Sequence, residues 1–170
     1  ETLRNVEENI STTLAEKRGD RTTVVKEIFG SKGKVLGFYS DVKSSVENRL
    51  KAVRADGFEI EISDSFVIDQ DFRRQFLNNI NQRKRGPFRS DDDAQKWLAA
   101  LMLSTQWEDA NAVVAFCDAI LIHMTSYDSG VSVADQAMNV KELYDHLFSL
   151  DYRSARYELQ LGRKNLNELS

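Results

Sequence analysis

Asp56-Gly57-Phe58-Glu59-Ile60-Glu61-Ile62 is where the chain changes character. Upstream of it, apolar residues recur at every third or fourth position. Here Phe58, Ile60 and Ile62 alternate with Glu59 and Glu61, the period of two that a half-buried strand requires. A second alternating run, Tyr157, Leu159 and Leu161, stands far downstream. A short strand is not stable alone, so each run needs a partner: the other run, or sheet contributed from outside the chain. Almost everything else carries a helical period. The expected class is mainly α with a small β component (α+β). It comprises a helical arm over residues 1–55 and a helical lobe over 56–170, with strands near 58–62 and 155–161.

In the arm, Leu3, Val6, Ile10 and Leu14 share one stripe, and a second series runs from Val24 and Val25 through Ile28, Val35, Tyr39, Val42, Val46, Leu50 and Val53. Gly30, Gly33 and Gly37 interrupt it, each costing about 1 kcal/mol against alanine in a helix interior. Two arrangements fit: a pair of helices joined near Gly19-Asp20, or one continuous arm with a loosened middle. The seam is narrow and flanked by charge (Glu7, Glu8, Lys17, Lys26, Glu27, Lys43, Glu47), which suits a coiled-coil partner. A plain globular helix fits the same pattern.

In the lobe, Asp69 is an expected N-cap, with Phe72, Phe76, Leu77 and Ile80 on one face after it. Gly86-Pro87 contains the only proline and marks a break. Ser90 caps the next helix, whose first turn holds Asp91, Asp92 and Asp93. Carboxylates there are favoured by the helix dipole. Adjacent aspartates diverge around a helix, so no metal site is expected. Trp97, Leu98, Leu101 and Met102 form its buried face. The helix from about Glu108 to His123, with Val113, Phe116, Cys117 and Ile120, is the expected centre of the core. Another amphipathic helix carries Ala137, Val140, Leu143, Tyr144, Leu147 and Phe148.

The chain has 170 residues, 41% hydrophobic and 29% charged, with a net charge of −4. That charge gives no general attraction to nucleic acid, so such a claim needs a local patch. One cysteine, Cys117, excludes an internal disulfide and agrees with a reducing compartment. No stretch approaches the roughly 18 unbroken apolar residues of a membrane span. Without a signal-peptide pattern, a cytoplasmic location is expected, and Glu1 reads as a cut boundary rather than a natural start.

Catalytic constellations are missing. His123 and His146 have no HxxxH or HExxH partner, there is no CxxC, and no GxSxG elbow is present. Gly30-Ser31-Lys32-Gly33-Lys34 fails the spacing of a phosphate loop, because too few residues separate the glycines and Val35 follows Lys34. The best electrostatic feature is Arg73, Arg74, Arg83, Lys84, Arg85 and Arg89, a stretch without an acidic residue. Arg83, Lys84, Arg85 and Arg89 fall at a helix end and the loop beyond it, where side chains can spread along a phosphate backbone. A solvated helix end, where cations are favoured, explains the same residues without a ligand.

The order of features is arm, strand, helical insert, alternating strand, Gly162, then Leu166-Asn167-Glu168-Leu169-Ser170. It resembles the C-terminal arm and lobe of SMC/RecF-like ABC ATPases just before their signature motif, in the version found in bacterial DNA repair or phage defence. That motif begins Leu-Ser, so Leu169 and Ser170 would open it. The resemblance implies that Ser170 belongs to the segment contacting the γ-phosphate of ATP on an opposing head. The glycines that would follow, and the Walker elements, are not in this chain. ATP and Mg would therefore belong to the parent protein, this chain alone would be inactive, and it would hold no cofactor. Implied partners are the rest of the head, DNA, and a second molecule met through the heads or the coiled coil. The alternative from a different class is a non-enzymatic helical protein–protein interaction module.

Overall fold

The computed structural model describes residues 2–53, 60–126, 131–161 and 164–165. The protein is mainly helical with a small antiparallel sheet. Helix α1 (Thr2–Val53) is one element of 52 residues, so of the two arrangements the sequence allowed, the continuous arm is the one observed. It passes through Gly19, Gly30, Gly33 and Gly37 without a break. Its polar interior residues accommodate the helix by bonding backwards. The hydroxyls of Thr12, Thr22, Thr23 and Ser44 donate to carbonyls four residues earlier.

Strand β1 (Ile60–Ile68) follows, then α2 (Phe72–Asn78), α3 (Asp91–Ser104), α4 (Ala110–Ser126), α5 (Val133–Gln136) and α6 (Val140–Phe148). Strands β2 (Arg153–Leu161) and β3 (Lys164–Asn165) close the chain. β1 and β2 pair antiparallel over nine residues, from Ile60 opposite Leu161 to Ile68 opposite Arg153. The two alternating runs seen in the sequence are therefore each other's partners, in phase: Ile60 faces Leu161 and Ile62 faces Leu159. The first strand extends well past Ile62, and Phe58 and Glu59 lie outside the described residues. β3 adds a short antiparallel edge to β2.

The chain divides into two compact units, Glu1–Phe29 with Arg73–Leu150, and Gly30–Phe72 with Asp151–Ser170. In the first unit, Phe76, Phe88, Leu98, Phe116, Ile120 and Leu147 are among the core residues, none more than 2% exposed. α4 is its centre, as its apolar sequence implies, with Cys117 buried and donating to the Leu147 carbonyl at 3.5 Å. Arg21 of α1 bonds Asp118 of α4 at 2.8 Å, and its guanidinium lies 4.5 Å from the Phe148 ring centroid. Val6, Ile10, Leu14 and Val24 of this unit's part of α1 remain exposed.

The helix expected to carry both Ala137 and Phe148 is two helices. Asn81 N–H donates to Gln136 O at 2.7 Å and Met138 N–H to Asn79 O at 2.8 Å, and Ala137 bridges Ile80. This strand-like seam takes residues 137–139 out of helical geometry. A capping box between Ser132 and Asp135 starts α5, and the Asn139 side chain restarts the chain at α6.

In the second unit, Phe72 and Tyr152 are buried with ring centroids 4.4 Å apart. Arg153 is 1% exposed and its guanidinium lies 3.2 Å from the Phe66 ring centroid. Asp69 N–H donates to Tyr152 O at 2.8 Å, and the Asp69 side chain accepts from Asp71 N–H at 2.8 Å, in the turn that precedes α2. Lys32 pairs with Asp151 at 3.0 Å. Val35, Phe38, Val42 and Val46 of this unit's part of α1 are exposed.

Candidate nucleic-acid interface

Between α2 and α3 the chain is held at a few points and turned outward between them. The Asn81 carboxamide oxygen accepts from Arg83 N–H at 3.2 Å, and the Asn81 carbonyl from Lys84 N–H at 3.0 Å. An Asn organising its own downstream backbone is a common way to build a turn. Arg83, Lys84, Arg85 and Arg89 are all exposed, whereas Phe88 in the same segment is 1% exposed. Its ring meets Phe76, Trp97 and His123 at centroid distances of 5.4, 5.7 and 5.3 Å. One aromatic anchor therefore fixes a turn whose four basic residues are exposed.

Gly86 has a steric reason to be glycine. A Cβ there would run into the carboxamide of Gln136, with Cδ at 2.9 Å. Gln136 cannot easily yield, because it is 2% exposed and its Nε2 donates to Met124 O at 2.5 Å. Pro87 follows, so the backbone at the centre of the turn has little freedom.

The structure brings Arg83, Lys84 and Arg85 together on this turn and sets Arg89 just before α3. Arg73 and Arg74 belong to α2, the first half-buried and the second exposed. Acidic neighbours temper the patch. Asp135 comes near enough to Lys84 to feel its charge, and Asp93 shares a shallow hollow with Gly86, Arg89 and Ser90. The Asp135 carboxyl is held below the usual carboxylate range, first by hydrogen bonds from Ser132 and also by Lys84. Asp135 lies far from Lys84 in sequence, so only the fold reveals it. Ser90 is the N-cap residue of α3 as expected, but its side chain makes no capping hydrogen bond.

Gly30-Ser31-Lys32-Gly33-Lys34 lies inside α1, where the backbone N–H groups serve the helix instead of a phosphate. Among the described residues, no three metal-ligating side chains converge, and no helix is long and apolar enough to cross a membrane. Leu169 and Ser170 lie outside the described residues. A second concavity, of about 360 Å³, lies in the first unit beside Arg18, Asp118, Ile122, Thr125 and Tyr144.

His123 stacks on Trp97 at 3.9 Å with an interplanar angle of 7°. Partial burial lowers its pKa from the ordinary histidine value. A base whose folded pKa lies below its unfolded pKa takes up its proton preferentially when unfolded. The stability it contributes is thus complete above the unfolded value, near 6.5, and falls as pH drops toward the folded value. Unfolding midpoints measured from pH 8 to pH 5 are expected to decline on the acid side, with the decline reduced in His123→Phe. An equal decline in both proteins would assign it to other groups.

The chain matches no protein-family model, no curated protein and no solved structure.

Proposed function

We propose that the chain is the arm and pre-signature lobe of an SMC-like ABC ATPase acting in DNA repair or defence, and that its basic turn contacts DNA. One observation carries this reading. β1, the next described element after the 52-residue α1, pairs along its length with β2, and helices α2 to α6 lie between them in sequence. An arm entering a strand, a helical insert, and a return strand before Gly162 is the order the resemblance requires. The exposed cluster of Arg83, Lys84 and Arg85 supports the DNA contact. Leu169 and Ser170 open the signature on the strength of the resemblance alone, and ATP with Mg is held elsewhere in the parent protein. The chain by itself is inactive in this reading.

The test has two arms. In a salt series with a labelled DNA duplex, Arg83→Ala/Lys84→Ala/Arg85→Ala is expected to weaken binding by at least about tenfold at low salt. It should also flatten the log–log salt slope by roughly 2–3, one step per lost phosphate contact. An unchanged slope would remove the turn from the interface. In the longer ATPase, Ser170→Arg is expected to leave ATP binding in place and abolish hydrolysis. Hydrolysis at the parental rate would defeat the signature assignment. The second reading, a helical interaction module, draws on the exposed apolar residues of α1. It gains if the DNA arm shows no binding at low salt.

A further inference from the structure

The cleft of about 360 Å³ opens within the first unit, where α1 (residues 18–22), α4 (residues 118–125), α5 at Val133 and α6 at Tyr144 meet. Its volume falls in the range of small-molecule sites, roughly 300–1,000 Å³. We propose that it binds a small organic carboxylate with a flat apolar body, the carboxylate on Arg18 and the body on Ile122 and Val133. The site is separate from the basic turn and independent of any ATPase role.

Charge selects the head of the ligand. Arg18 and Arg21 line the cleft against Asp118, which leaves one net positive charge. Arg21 and Asp118 satisfy each other at 2.8 Å, and Arg21 also lies 4.5 Å from the Phe148 ring centroid. Arg18 is placed differently. Among the described residues no carboxylate is paired with it. Three and four residues away the helix offers only Leu14, Ala15, Arg21 and Thr22, so no partner stands on its own face. A planar guanidinium fits a carboxylate with two parallel hydrogen bonds. Asp118 sets the valence: one added negative charge neutralises the cleft, and a second would face Asp118 uncompensated.

The other walls select the body. Ile122 is 62% exposed although it borders the cleft beside Val133, and an apolar group laid there would cover it. Tyr144 is half-buried, with its ring centroid 5.5 Å from that of Phe148. The Thr22 and Thr125 hydroxyls donate back into their own helices, to Arg18 O and Leu121 O, each at 3.0 Å. The Arg18 guanidinium and the Tyr144 hydroxyl are then the groups placed to donate to a ligand.

Gly19 belongs to the same wall. Glycine inside a helix is unfavourable against alanine, and no packing requires it here, since a Cβ would meet nothing within 4 Å. Nor is it a joint, because α1 runs through it unbroken. Its missing side chain keeps the edge of the cleft open beside Arg18.

The experiment titrates this chain with phenylacetate near neutral pH and follows the backbone amide shifts. Saturable shifts around the cleft, at Thr22, Thr125 and Val133, are expected in the millimolar range for so small a ligand. Acetate lacks the body and phenylacetamide lacks the charge, and each is expected to bind at least about tenfold more weakly. Arg18→Gln is expected to bring phenylacetate down to the affinity of phenylacetamide. Gly19→Leu is expected to weaken binding several-fold while the thermal midpoint rises, because leucine favours the helix and narrows the cleft. Phenyl phosphate, a dianion, is expected to bind no more tightly than phenylacetate. Absence of saturable shifts, or equal affinity for phenylacetate and phenylacetamide, overturns the proposal. Tighter binding of phenyl phosphate overturns the choice of a carboxylate. Parental affinity in Arg18→Gln overturns the role of Arg18, even if Gly19→Leu fails to fold.

Discussion

Replacing Phe88 by alanine is expected to destabilise the first unit by about 3–5 kcal/mol, the range for emptying a well-packed aromatic site. Phe88 is almost completely buried and touches Phe76, Trp97 and His123 with ring-to-ring geometry close to edge-to-face. Such contacts add about 0.5–1.5 kcal/mol beyond area burial. The residue also sits between the exposed Arg85 and Arg89, so its loss releases the basic turn as well as opening a cavity. Two readouts are expected to move together: the denaturant midpoint falls, and the proposed DNA contact weakens although no cation has been removed. Phe88→Leu is expected to recover most of the stability, since it refills much of the space. A loss below about 1 kcal/mol in Phe88→Ala would show that the turn is held by its backbone bonds and not by this ring.

The second large effect lies at Arg153. A wholly buried arginine is uncommon, and this one keeps its guanidinium against the face of Phe66 on the neighbouring strand. Ile68 opposite Arg153 and Phe66 opposite Ala155 place the two side chains diagonally on the same face of the sheet. Arg153→Ala is expected to cost about 2–4 kcal/mol, through the lost packing of its stem and a desolvated cation–π contact of up to about 2 kcal/mol. Arg153→Met separates the two contributions, because it retains the stem and discards the charge. If both variants lose the same amount, the charge–ring contact is the larger part. If methionine restores the stability, packing is.

These two residues mark where sequence reasoning succeeds and where it stops. The strand periods at Ile60 and Leu159, the N-cap position at Ser90 and the apolar run of α4 are local patterns, and local patterns survive folding. Phe88 was visible only as an aromatic beside a basic run, because nothing in the run says which side chain turns inward. Arg153 stood outside the expected strand altogether: an arginine at a strand end is read as solvated until a partner ring is known. The break at Ala137 was hidden for a related reason. It is imposed by a backbone pairing with Ile80, whereas the apolar spacing around it suits one continuous helix. The candidate interface was legible in its cations. Its acidic neighbours Asp93 and Asp135, which limit how much negative charge the turn can attract, needed the fold.

The ladder between β1 and β2 has a kinetic consequence. Its inner end joins Ile68 to Arg153 across roughly 80 intervening residues, and closing a loop of that length costs several kcal/mol of chain entropy before a single ladder bond is made. The helices in that loop are built from contacts closer in sequence, which form sooner. The sheet is therefore expected to zip late, after the local helical contacts have formed. Asp69 and Tyr152, bonded through their backbones at the mouth of the loop, are the contact from which zipping is expected to start.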